Sequence, residues 1–345
     1  MSVPAKKAKW LAPEKSAQPS QAKQPEEVSK TKWFLGVFAT IFIVVMAFLN
    51  WFWSLEPDSF DVVEKARIHA GVDNSNKLVS GYIYTHTLAQ IGTTLLTKNG
   101  GYISNDVAIP SVAMDNIQNW EFGALVMLRD ASTALRNNFA RSQSQSKENE
   151  DLSKAEPFFY FNNNSWIIPP TEAEYQKGID HLYHYMGDLQ NRTETARFYA
   201  RADNLNQYLQ IVEKRLGSLG NRLSASSVQQ HQFAHEAFAR DIVVSTPWLE
   251  VDDVFYESRG ATWALLHIFR AIEIEFAKVL RGKAATATVR NIISQLEDSQ
   301  GTTLSPMVLN GDGFGVLSNY SLTMANFITR ANAATLDLRE LMIRG

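Results

Sequence analysis

The chain of 345 residues carries 33 lysines and arginines against 36 aspartates and glutamates, for a net charge of −3, and it has no cysteine. The absence of thiols excludes a disulfide scaffold, an iron–sulfur cluster, a thiolate zinc site and a cysteine nucleophile. Whatever folds must be held by its hydrophobic core, and the 45% of hydrophobic residues allow that.

Residues 1–32 are rich in Lys, Ala, Pro, Gln and Ser, a composition that buries too little apolar surface to fold, so a disordered tail is expected. Trp10 and Leu11 interrupt it between lysines. As a partner-docking pair, they suit the anchor of a short linear motif caught by a cytoplasmic protein. Trp10 would equally suit the interface of anionic lipid beneath the lysines, and a tether whose lysines only set topology needs neither role.

From Trp33 to Leu55 there are 23 residues without an ionisable side chain, and thirteen of them are Leu, Ile, Val or Phe. At about 1.5 Å per residue such a helix spans roughly 35 Å, enough to cross a hydrocarbon layer of about 30 Å. Each of the thirteen favours insertion by roughly 0.3–0.6 kcal/mol. Trp33 stands at one end and Trp51 and Trp53 at the other, where indole rings settle among headgroups. The apolar run is longer than that of a secretory signal and leads into no small-x-small cleavage site, so 33–55 is read as an uncleaved anchor in the lipid bilayer. Seven lysines against three glutamates precede it, whereas Glu56, Asp58, Asp61 and Glu64 follow before Lys65. That asymmetry predicts a single-pass type II topology, with a cytoplasmic N-terminus and residues 56–345 outside, in the periplasm of a bacterium. Taking the tail's +4 from the chain's −3 leaves the outer part at −7, which argues against nucleic acid as a partner.

The outer part reads as helical nearly throughout, so an all-α fold is expected: a single transmembrane helix, then a multi-helix bundle with one minor extended or hairpin element. Its N-terminal part, 56–141, holds helices over Asp58–Ala70, stopped by Gly71, over Val79–Leu96 and over Trp120–Phe139. The polar stretch 142–156 reads as an exposed linker and the internal boundary. The C-terminal part, 157–345, opens with "PFFYFNNNSWIIPP", where aromatic and β-branched runs flank three asparagines. This is the extended element, either packed on neighbouring helices or exposed as a docking patch.

Thr171 and Glu174 of "TEAE" fit a capping box. The series Tyr175, Ile179, Leu182, Met186, Leu189 and a second from Phe198 to Leu223 would form an antiparallel helical hairpin if the chain turns near Gln190–Thr193. The same seam would also serve self-association as a homo-oligomer. Thr246 and Pro247 suit a helix start; Val254–Leu280 is apolar on nearly all sides, as a central helix would be. A shorter helix, the loop "NGDGFG" and a terminal helix over Ser318–Ile343 complete the chain.

Two constellations carry candidate chemistry. His181 and His184 stand three apart and His231 and His235 four apart, so each pair shares a helix face, as a metal site requires. Gln232 occupies the place a metalloprotease gives its glutamate base, and a complete site needs both pairs, or one pair and a carboxylate, to meet in space. The second is a stripe of Tyr256, Arg259, Trp263, His267 and Arg270, which suits an anionic or aromatic ligand. Its structural alternative is an Arg270–Glu273 pair one turn apart. "GDGFG" lacks the Lys-Ser/Thr of a phosphate loop, and no GxSxG or dinucleotide fingerprint occurs. No cofactor is expected, and the enzymatic question leans towards no.

The stretches "SLEPDSFDV", "FYFNNNSWIIPPTEAEYQKGIDHLY" and "STPWLEVDDVFYESRGATWALLHIF", with the Lys/Pro tail and single anchor, resemble a family of uncharacterised single-pass inner-membrane proteins of Gram-negative bacteria, a domain of unknown function. The resemblance covers almost the whole chain and implies an envelope location; it brings no catalytic residues. The leading expectation is a membrane-anchored periplasmic interaction or scaffold protein with an envelope protein as partner. The alternative is a metal-dependent enzyme or an anionic-ligand sensor built on the His pairs or the Arg/His stripe.

Overall fold

A computed structural model describes residues 30–73, 77–142, 148–224, 250–301 and 320–344. The described residues form eleven α-helices and no strand: α1 Lys30–Trp53, α2 Val62–Ala70, α3 Tyr82–Thr97, α4 Asp115–Ala134, α5 Glu150–Phe159, α6 Thr171–Gln190, α7 Ala202–Ser224, α8 Val251–Glu275, α9 Ala277–Gly282, α10 Thr286–Asp298 and α11 Tyr320–Ile343. The all-α reading holds.

The chain divides into two compact units, Met1–Val45 and Met46–Gly345. In the first, the described residues are the opening turns of α1, a helix long and apolar enough to cross a membrane, with no residue buried. The second holds all the other helices. Within it, α5 begins at Glu150, inside the stretch 142–156 read as a linker. Asn149 caps α5 by accepting from the Leu152 amide at 3.1 Å, and Glu150 and Asp151 sit in its first turn, where carboxylates favour the positive end of the helix dipole. The polar side chains of 150–156 belong to this short helix, whose Leu152, Ala155 and Phe159 are buried.

α8 is the central element. Seventeen of its 25 residues are buried, and it packs against α4, α10, α3 and α11. The α4–α8 crossing is a backbone contact: a Cβ on Gly123 would stand 1.9 Å from the Glu257 carbonyl oxygen, and one on Gly260 1.9 Å from that of Trp120. Only glycine permits that approach.

The helix stops and starts follow local chemistry where it is available. Asp61 caps α2 by accepting from the amides of Val63 and Glu64, and Gly71, at φ 63°, ends it as expected. α3 has no side-chain cap of its own. Its first amides instead meet the Glu275 carboxylate at the far end of α8, at 2.8 Å from Gly81 N and 2.9 Å from Ile83 N.

Three expectations are corrected here. Residues 160–170 form a loop, not a strand or hairpin, and Pro157–Phe159 complete α5. The Thr171–Glu174 capping box is not formed: Pro170 takes the cap position, and the Thr171 hydroxyl donates to Asn162 O at 2.7 Å and accepts from Ser165 N at 3.1 Å, so it fastens the loop. The α6–α7 hairpin does not exist either. α6 packs on α3 and α5, whereas α7 packs on α11. The connecting residues are drawn elsewhere, with Tyr199 N bonded to Phe139 O and the Phe198 ring among Tyr84, Phe139 and Phe276. The second seam, Leu205 to Leu223, is buried within the chain itself.

Candidate functional site

The stripe on α8 is a docking surface for the chain's own segment after α1. Glu56 lies three residues beyond the end of that helix, and its carboxylate accepts from Arg259 Nε at 2.7 and 2.9 Å and from Nη2 at 2.7 Å. Arg259 Nη1 also donates to the carbonyls of Ser299 at 3.2 Å and Gly301 at 3.0 Å, so the guanidinium is buried but fully engaged. Trp263 Nε1 points to Asp58 O at 3.4 Å. His267 Nδ1 meets Trp263 O at 2.7 Å, which leaves Nε2 to accept from Phe60 N at 2.9 Å, and Phe60 stacks on the imidazole at 3.9 Å. The ring is therefore neutral. Burial holds its pKa down at about 4, with the Trp263 carbonyl raising it and the Arg270 charge lowering it.

Arg270 closes the strap at Phe60 O, 3.4 Å away, and pairs with Glu297 at 2.6 Å, not with Glu273 as the spacing suggests. Glu273 takes Arg290 instead. Tyr256 flanks the same strap; burial first and then the Glu56 charge raise its phenol pKa. A cleft of about 420 Å³ remains between the strap, Tyr256, Trp263 and Gln300. Residues 56–60 thus run along the stripe, with the Glu56 carboxylate on Arg259.

His181 and His184 meet a carboxylate. Asp151 Oδ1, from the first turn of α5, lies 2.9 Å from His181 Nδ1 and 3.6 Å from His184 Nδ1. Sequence reasoning missed Asp151 because it lay in the stretch read as linker; the Asn149 cap before two acidic residues was the available signal. His231 and His235 lie outside the described residues, as do Trp10, Leu11, the Thr246–Pro247 helix start and the "GDGFG" loop.

A third feature is an exposed apolar surface on two loops. Val107, Ile109 and Val112 precede α4; Trp166, Ile167 and Ile168 precede α6; all six are more than half exposed. Asn105 ties the loops together, donating to Ser165 O at 2.9 Å and to Glu172 at 2.8 Å. Residues 157–170 contain no charged side chain. The first loop is held from below by a buried pair: Lys98 Nζ lies 2.7 Å from Glu121, whose carboxylate also takes the amides of Ile103 and Ser104. Burial raises the Glu121 pKa, while Lys98 and the hydrogen bonds from Lys98, Ser104 and Ile103 oppose it. Ile168 sits at φ 49°, a conformation that costs a β-branched residue about 1–3 kcal/mol.

One family model matches residues 26–345, from just before the apolar helix to the end of α11 and beyond. The chain belongs to the DUF2333 family. That family is described as an uncharacterized protein conserved in bacteria. No curated protein and no solved structure matches the DUF2333 chain. The functional reading of this member therefore rests on its own residues.

Proposed function

We propose that this protein is a membrane-anchored interaction protein of the Gram-negative cell envelope. It inserts once through residues 33–55, keeps its N-terminus in the cytoplasm and presents the helical body in the periplasm to another envelope protein. The lysine asymmetry around the apolar helix supports the orientation. The strap supports a body that begins at the anchor's end, because Glu56 is already bonded to Arg259 three residues after Trp53.

The observation that carries the interaction is the pair of loops joined at Asn105, with six exposed large apolar side chains. Apolar side chains gathered on neighbouring loops, with a buried ion pair beneath one of them and strain at a tip, mark a recognition surface better than they mark ordinary surface scatter. The residues that docking would desolvate first are Trp166 and Ile168.

Reporter fusions test the topology: a reporter active only in the periplasm should work after Gly345 and be silent before Lys6. For the partner surface, a photo-crosslinking residue at position 168 in living cells should yield one discrete protein adduct that a Trp166→Ser change abolishes. The same probe at Leu336, an exposed position on α11, should yield none. Adducts only to lipid, or the same adducts from both positions, would dismiss the protein partner.

A further inference from the structure

We infer that Asp151, His181 and His184 form a binding site for a divalent transition-metal ion of the zinc class. Two helices build it. His181 and His184, three apart on α6, project from one face, and the first turn of α5 brings Asp151 against them. The three ligand atoms lie within 4.8 Å of one another.

Bonds of about 2.0–2.1 Å in a tetrahedral zinc site put neighbouring ligand atoms about 3.3 Å apart. The two Asp151–histidine separations, 2.9 and 3.6 Å, bracket that value. An ion would need only small side-chain adjustments, taking the place of the proton that now lies between Asp151 and His181.

The donor set is two imidazole nitrogens and one carboxylate oxygen. It suits zinc and its neighbours rather than calcium or magnesium, which prefer oxygen alone. The surroundings support an ordered site. The Phe158 ring lies parallel to His181, with centroids 5.8 Å apart, and limits its rotation. The nearby cations are engaged with other carboxylates, Lys154 with Glu150 and Lys177 with Glu174, each at 2.6 Å. His184 is mostly exposed, so the fourth position opens to solvent and accepts water or a donor from another molecule.

The test uses the full-length protein in detergent micelles, stripped with a chelator and dialysed against zinc sulfate, with bound metal measured per chain. One zinc per chain is expected. His184→Ala and Asp151→Asn should each weaken binding by more than about 100-fold, the upper end of what a lost outer-shell contact costs. The paired change His231→Ala with His235→Ala should leave it intact. Cobalt in place of zinc should give the intense visible bands of a tetrahedral site, and these should vanish in His184→Ala, whose side chain is mostly exposed, while its circular dichroism matches the parent's. No saturable zinc in the parent protein would overturn the inference, as would binding that survives His184→Ala and disappears with the His231/His235 change.

Discussion

Arg259 of α8 grips Glu56 through two nitrogens, across 203 residues of chain, at the point where the polypeptide has just left the apolar helix. The arginine side chain is 8% exposed and the glutamate 19%, so the pair is shielded from the solvent that weakens surface ion pairs. The contact joins the acidic flank that follows the apolar helix to an arginine at the edge of the buried middle of α8.

Breaking the pair from one side should therefore cost more than removing it whole. Arg259→Met or Glu56→Gln leaves a buried partner and should each lower stability by about 3 kcal/mol. The double variant should cost clearly less than their sum. Urea denaturation of the micelle-bound protein measures all three; strictly additive losses would mean the pair is not coupled.

The His267 hydrogen bond predicts acid sensitivity. Nε2 accepts from Phe60 N, so protonation breaks that bond, and the folded ring stays neutral down to about pH 4. An unfolded histidine takes up its proton near 6.5. The contribution is therefore complete above pH 6.5 and is lost as the pH falls towards 4, about 3 kcal/mol in all. The difference in melting between the parent protein and His267→Gln should shrink over that window, while the carboxylates common to both cancel. A difference that stays constant from pH 7 to pH 4 would rule out the neutral ring.

Gly123 and Gly260 make the α4–α8 crossing intolerant of any side chain. Gly260→Ala should destabilise by about 3 kcal/mol or more, because a backbone oxygen cannot move aside as a side chain can. Gly187→Ala on α6, where nothing lies within 4 Å of an added Cβ, should instead stabilise by about 0.5–1 kcal/mol through helix propensity. Thermal melting of the two variants should move in opposite directions.

Leu209 is fully buried between α7 and its neighbours. Leu209→Lys should abolish the helical circular-dichroism signal of the folded body at ordinary temperature, since an unpaired ammonium cannot be accommodated there. A variant that stays helical and only changes its elution volume would mean that the seam joins two copies.

Among the described residues, the elements that sequence determined are those set by their own composition. The apolar helix follows from a run without ionisable side chains, the end of α2 from Gly71, and the burial of the middle of α8 from a stretch, 260–269, with no Asp, Glu, Lys or Arg. The start of α2 moved from the expected Asp58 to Val62, behind the Asp61 cap. Periodicity also identified which side of α7 is buried, since Leu205, Leu209, Val212, Leu216 and Leu219 all lie in the core. These are short-range properties: a helix records its own amphipathicity and its own caps.

Partner choice is different, because a stripe carries no label for what covers it. The sequence paired α6 with α7 by proximity, whereas the fold sent α7 to α11. It offered Arg270 to Glu273 one turn away, but tertiary packing brought Glu297 within 2.6 Å instead. It displayed the α8 stripe as though for an external anion, and the chain supplied Glu56. Asp151 reached the histidines only because α5 lies along α6, a relationship between helices that no local pattern encodes. Long-range contacts are decided by which apolar faces fit together, and that requires the whole set of helices at once.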